Sequence, residues 1–178
     1  MTVAEIVKSV AGYPAGYVVV TGGEPMIAPG IAELTGALRE SGLHITVETA
    51  GTVRAPVFCN LMSISPKLSN STPFEREDGR WAAQHERLRY QPDVLRHLTS
   101  NYDYQLKFVV TAPGDLDEIG QICQDLQIPA SRVMLMPEGT KREAITEKAL
   151  WLVDVCKNKG YRYSPRLHID LWGDRRGV

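Results

Sequence analysis

Extended apolar runs alternate with segments whose apolar residues recur at helical spacing, and this alternation constrains the fold more than any other feature of the chain. Val3, Ile6, Val7 and Val10 share one face of a helix over 3–11, which Gly12 and Pro14 end. Residues 17–21 then read as a β-branched strand with no polar alternation, the pattern of a strand covered on both faces. Pro29-Gly30 leads into a helix carrying Ile31, Leu34 and Leu38, closed by Gly42, and residues 44–48 and 61–65 are the next two strands. Pro92 opens a helix with Val94, Leu95 and Leu98, followed by a strand over 104–110. Asp115 is placed to cap a helix carrying Leu116, Ile119, Ile122, Cys123 and Leu126. A fifth strand covers 132–136, a long helix covers 142–158 up to Gly160, and residues 161–170 form a sixth extended segment. Strands separated by helices give right-handed βαβ units and a parallel sheet, here within a single α/β domain over 1–178. Residues 69–91 break the pattern. They are polar, with Glu75-Arg76-Glu77-Asp78-Gly79-Arg80 at their centre, and read as a surface excursion or mobile loop.

Charge and cysteine content narrow the function classes. With 20 basic and 21 acidic residues the formal net charge is −1, so no global field favours nucleic acid or a membrane surface. The apolar runs fall short of the roughly 20 residues that span a bilayer. The first residues lack a basic segment followed by an apolar core, and the chain reads as cytoplasmic. Cys59, Cys123 and Cys156 are odd in number and widely spaced, which forms neither a disulfide framework nor a short metal-binding motif.

The polar chemistry collects where strands end. The clusters are Thr21-Gly22-Gly23-Glu24-Pro25, Glu48-Thr49-Ala50-Gly51-Thr52, Ser65-Pro66-Lys67 and Pro137-Glu138-Gly139-Thr140. In a parallel sheet these share one rim, where ligands of α/β folds bind. Glu24, Glu48 or Glu138 could meet an ammonium, and Lys67 and Ser65 a carboxylate or hydroxyls, which together suit a zwitterion. A phosphate cradle is disfavoured, because no such turn combines glycines with a basic residue in a phosphate-binding pattern. Tight strand-to-helix turns with polar loops fit the same spacing.

These motifs resemble the radical S-adenosylmethionine (SAM) superfamily and, within it, the 7-carboxy-7-deazaguanine synthase family. Besides the strand-end clusters, the matching residues are Ser63-Ile64-Ser65-Pro66-Lys67-Leu68, Gln105-Leu106-Lys107-Phe108-Val109-Val110, Leu135-Met136-Pro137-Glu138-Gly139, and Arg166-Leu167-His168 with Leu171-Trp172-Gly173. The resemblance implies a parallel partial (β/α)6-type barrel lacking its first strand and cluster loop. It implies SAM contacts from Gly23, Glu24, Ser65, Pro66, Lys67, Met136, Pro137, Glu138 and Gly139, and pterin substrate contacts from Thr21, His168 and Val178. The implied reaction is a radical ring contraction of 6-carboxy-5,6,7,8-tetrahydropterin to 7-carboxy-7-deazaguanine. Ammonia is lost, as in a carbon–nitrogen lyase, and the product feeds queuosine and other deazapurines. The family uses a [4Fe–4S] cluster and Mg²⁺, and the resemblance also implies an electron donor and a homodimer.

The departure lies in the metal ligands. The family's three cluster cysteines sit in one loop after a first strand, and Cys59, Cys123 and Cys156 do not match them. The expectation is an amino-terminally incomplete and inactive chain, with the metal ligands absent. The alternative is a non-catalytic remnant that binds SAM or dimerises.

Overall fold

The computed structural model describes residues 1–175, so Val178 lies outside the described residues. Six strands hydrogen-bond in chain order: β1 (Tyr17–Val20), β2 (His44–Thr49), β3 (Leu61–Ile64), β4 (Tyr104–Val110), β5 (Val133–Pro137) and β6 (Arg162–Tyr163). β1 pairs parallel with β2, β2 with β3, β4 with β5, and β5 with β6. The helices are α1 (Val3–Val10), α2 (Ile31–Glu40), α3 (Ala82–Arg89), α4 (Pro92–Asn101), α5 (Asp115–Asp125), α6 (Arg142–Lys159) and α7 (Leu167–Trp172). The parallel α/β sheet expected from the alternation is present, and it is not closed.

The chain forms two compact units. The first comprises Met1–Ile64 and Gln91–Gln105, and the second comprises Ser65–Tyr90 and the chain from Leu106 onward. The first opens with a reciprocal cap: Thr2 Oγ1 accepts from the Glu5 N–H at 3.2 Å while the Glu5 carboxylate accepts from the Thr2 N–H at 2.7 Å. Its core packs Leu38, Ile45, Val47, Met62, Ile64, Leu95 and Leu98, all but fully buried. The second unit's core is Leu68, Leu106, Phe108, Ile119, Val133, Leu135 and Leu152. Each such side chain removes apolar area worth about 1.5–3 kcal/mol.

β2 and β4 bury alternate residues, while β3 buries Met62, Ser63 and Ile64 in succession. Ile45, Val47 and Thr49 are buried while His44, Thr46 and Glu48 are half-buried. Leu106, Phe108 and Val110 are buried while Gln105, Lys107 and Val109 are half-buried. The expected two-sided burial of β1 is not found. Val20 is buried, but Tyr17 is 77% and Val19 56% exposed. β1 ends the sheet, and apolar cover reaches one of its faces only.

Three further local expectations are corrected. The 69–91 excursion is ordered into two 3-10 turns, Ser69–Ser71 and Arg76–Gly79, and helix α3. Asp115 is not the cap of α5: Gly114 holds that position, and the Asp115 carboxylate accepts from the N–H groups of Thr111 and Ala112 at 2.6 and 3.1 Å. The tail pairs only at Arg162 and Tyr163 and then coils into α7. Pro165 has no N–H to give to a ladder, so the strand stops there.

Candidate functional site

In the first unit the turn after β1 is tied to the turn after β2 by Glu24. Its carboxylate accepts from the Thr49 hydroxyl at 2.8 Å on both oxygens, from the Ala50 N–H at 2.9 Å and from the Met26 N–H at 3.2 Å. Thr49 Oγ1 in turn accepts from the Gly51 N–H at 2.9 Å. A carboxylate offers about four acceptor positions, and most are filled. Glu24 is therefore chiefly an anchor, where the sequence suggested a carboxylate free for an ammonium. What it anchors is an open glycine pair. Gly22 and Gly23 are exposed, and a Cβ built on either would meet nothing within 4 Å, so their peptide groups can be approached closely.

Thr21 is exposed, and its hydroxyl donates to Glu48 Oε2 at 3.3 Å. Glu48 sits in register with Ser63, whose Oγ accepts from Gln105 Nε2 at 3.1 Å. Thr21, Glu48, Ser63 and Gln105 thus form a row of polar groups that runs from the exposed Thr21 to the buried Ser63. Ser63 and Gln105 were not among the expected site residues. The signal was in the sequence: polar side chains recur at every second position of 44–48, Ser63 interrupts the apolar run of the next strand, and Gln105 opens the one after it.

In the second unit a pocket of about 180 Å³ is lined by Ser65, Pro66, Lys67, Asn70, Thr111 and Glu138, among others. Here the structure brings together two expected segments, the Ser-Pro-Lys loop and the loop after β5. Ser65 Oγ donates to the Lys107 carbonyl at 2.9 Å, which leaves its lone pairs available. Pro66 is buried, and Lys67 is exposed. Glu138 is not a free partner for a ligand ammonium. Its Oε2 lies 2.7 Å from Lys148 Nζ, and the same ammonium donates to its carbonyl at 3.0 Å. Met136 is half-buried and Pro137 buried at the end of β5. Gly139 has φ +149°, and a Cβ there would lie 2.8 Å from Ile145 Cγ1, so this turn requires glycine. His168 does not line this pocket. It is exposed on α7, with its ring 5.8 Å from that of Trp172.

The cysteines do not fit an iron–sulfur cluster. Burial pushes the Cys59 and Cys123 thiols up to about 11 and also raises Cys156, which favours the neutral thiol over the thiolate that iron requires. Among the described residues no group of three His, Cys, Asp or Glu could hold a metal ion. No described helix is long and apolar enough to cross a membrane.

No family model matches the chain. Individual proteins do. The chain is 39% identical over 178 residues to the 7-carboxy-7-deazaguanine synthase of Rhodopirellula baltica, covering 99% of this chain and 69% of that protein. The chain belongs to the 7-carboxy-7-deazaguanine synthase family. The Halobacterium salinarum synthase is 40% identical over 185 residues, covering 98% of the chain and 72% of the relative. The Bacillus subtilis synthase is 28% identical over 190 residues, covering 100% and 76%. The fold also matches the crystal structure of QueE from Escherichia coli, with a TM-score of 0.65 and 22% identity. That match covers 93% of this chain but 64%, less than two thirds, of the solved one.

Proposed function

We propose that both strand-end clusters serve SAM: Gly23 and Glu24 in the first unit, and Ser65, Pro66, Lys67, Met136, Pro137, Glu138 and Gly139 in the second. The observation that carries this reading is the Glu24 clamp on Thr49 and Ala50, which fixes an open Gly22-Gly23 backbone at the carboxyl end of a parallel strand. The exposed peptide groups there offer hydrogen bonds to the ammonium and carboxylate of a methionine moiety. With Glu138 already neutralised by Lys148, Lys67 contributes positive charge toward a ligand carboxylate. Thr21, paired with Glu48, is assigned to the pterin, whose ring N–H and amino groups suit a carboxylate–hydroxyl pair. His168 and Val178 keep the weaker assignment to substrate by resemblance alone.

The reaction assigned to the family fold is ring contraction of 6-carboxy-5,6,7,8-tetrahydropterin to 7-carboxy-7-deazaguanine with release of ammonia, a carbon–nitrogen lyase step in deazapurine and queuosine biosynthesis. We place it in the cytoplasm, with a homodimer and an external electron donor. Among the described residues no group of three His, Cys, Asp or Glu could hold a metal ion, so the role proposed for these residues is the binding of SAM and pterin. The raised thiols of the half-buried Cys59 and the buried Cys123 favour a second reading, a SAM-binding protein that does not turn over. Anaerobic reconstitution with iron and sulfide, followed by incubation with SAM, reductant and substrate, separates the two. The expected result is substoichiometric cluster and no 7-carboxy-7-deazaguanine by mass spectrometry. Stoichiometric cluster with turnover would overturn the assignment of the cysteines.

A further inference from the structure

The polar excursion after β3 forms part of the second unit's pocket. Its first turn, Ser69–Ser71, contributes Asn70 and Ser71 to the lining beside Ser65, Lys67 and Glu138. That turn is fastened to the first two turns of α5. Asn70 Nδ2 donates to Asp115 Oδ2 at 2.7 Å, and Glu118 Oε2 accepts from both the N–H and the hydroxyl of Ser69, at 2.9 and 2.8 Å. The far end of the excursion then returns to the same place. From the last turn of α3, Arg89 Nη1 donates to the Lys67 carbonyl at 3.2 Å and to Glu118 Oε1 at 2.5 Å, while its Nε donates to Glu86 at 2.9 Å. Lys67 and Ser69 flank Leu68, which is 2% exposed. One ion pair therefore grips the backbone on both sides of a buried leucine.

Exposed salt bridges contribute little, but this one is largely covered. The Arg89 side chain is 14% and the Glu118 side chain 25% exposed. Both Nη1 hydrogens and the Nε hydrogen have acceptors, and one of these is a main-chain carbonyl of the pocket loop. The geometry points to Arg89 as a positioning residue. Held by Glu86 and Glu118, it sets the Ser65-Pro66-Lys67 loop and the Ser69–Ser71 turn as walls of the ligand pocket. The inference rests on the reading of that pocket as part of the SAM site. A planar guanidinium is needed, because it aims donors at acceptors in different directions. A lysine ammonium keeps the charge pairing from a single point and cannot serve all three.

The test compares the full chain with Arg89→Met and Arg89→Lys, measuring thermal midpoint, amide hydrogen exchange over residues 66–72, and SAM affinity by calorimetry. Arg89→Met should speed exchange in this segment at least about tenfold and weaken SAM by about tenfold, the loss of one or two hydrogen bonds to a charged group. Arg89→Lys should regain most of the thermal midpoint but not the SAM affinity, a split that a merely structural role would not produce. Wild-type SAM affinity in folded Arg89→Lys would overturn the inference, as would unchanged exchange over 66–72 in either variant. Absence of SAM binding by the wild-type chain would overturn the proposed function, and the exchange data would still decide whether Arg89 orders the loop.

Discussion

At the scale of single residues, the site is governed by which charges are already spent. Glu24 and Glu138 both looked like ammonium partners in the sequence. Glu24 is instead largely occupied by Thr49, Ala50 and Met26, and Glu138 is paired with Lys148. Sequence could not show this, because the Glu24 partners lie 25 and 26 residues away and are brought in by strand pairing. The motif itself was legible only through its family resemblance, since glycine, acid and proline at a strand end also suit a plain tight turn. A consequence concerns the part-buried Glu24. Glu24→Ala leaves the Thr49 hydroxyl and the Ala50 N–H without their acceptor, at a cost of about 1–3 kcal/mol. Urea unfolding should register that loss together with weakened SAM binding. Glu24→Gln, which keeps one acceptor oxygen, should be milder in both. Equal stability of Glu24→Ala and wild type would mean that the clamp carries no load.

At the scale of elements, the order of the six strands was legible from periodicity, whereas helices α3 and α7 were not. The failures share a cause. The run Tyr17-Val18-Val19-Val20 fits a strand whether one face is covered or two, because β-branched residues favour extended backbone in either case. Helix α3 carries only one buried residue, Ala82, so its sequence has no apolar stripe to read. It is held by the Arg89–Glu118 ion pair and by hydrogen bonds between Thr72 and both His85 and Glu86, in place of a core. That has a pH signature. Burial alone would raise the Glu118 carboxyl, but the hydrogen bonds from Ser69 and Arg89 outweigh it and hold the group below its ordinary 4.5. A lowered carboxyl stabilises the fold fully above the unfolded value, and the contribution is lost as pH falls below 4.5 through the folded value. Glu118→Gln should therefore be less stable than wild type at pH 6–7, by about 1–2 kcal/mol, and the two should converge as the pH falls toward 3. Denaturant titrations at several pH values check this. A gap that stays constant with pH would contradict it.

At the scale of the whole molecule, family membership and the parallel α/β sheet are established, and the metal chemistry is what the described residues do not provide. The chain spans 69–76% of the curated relatives quoted above. Within that span the motifs proposed to bind SAM are intact in sequence, and each stands in a compact unit with its own core. The central claim is thus that SAM recognition and cluster chemistry are separable, and that this chain carries the first. Calorimetric titration of SAM into the purified chain, with no iron present, tests it most directly. The account predicts a saturable one-to-one isotherm with Kd on the order of 10–100 μM, about −5 to −7 kcal/mol, weakened at least about tenfold by Gly23→Val, whose side chain fills the open approach to the backbone. No saturable heat up to about 1 mM SAM, or an isotherm unchanged by Gly23→Val, would contradict it.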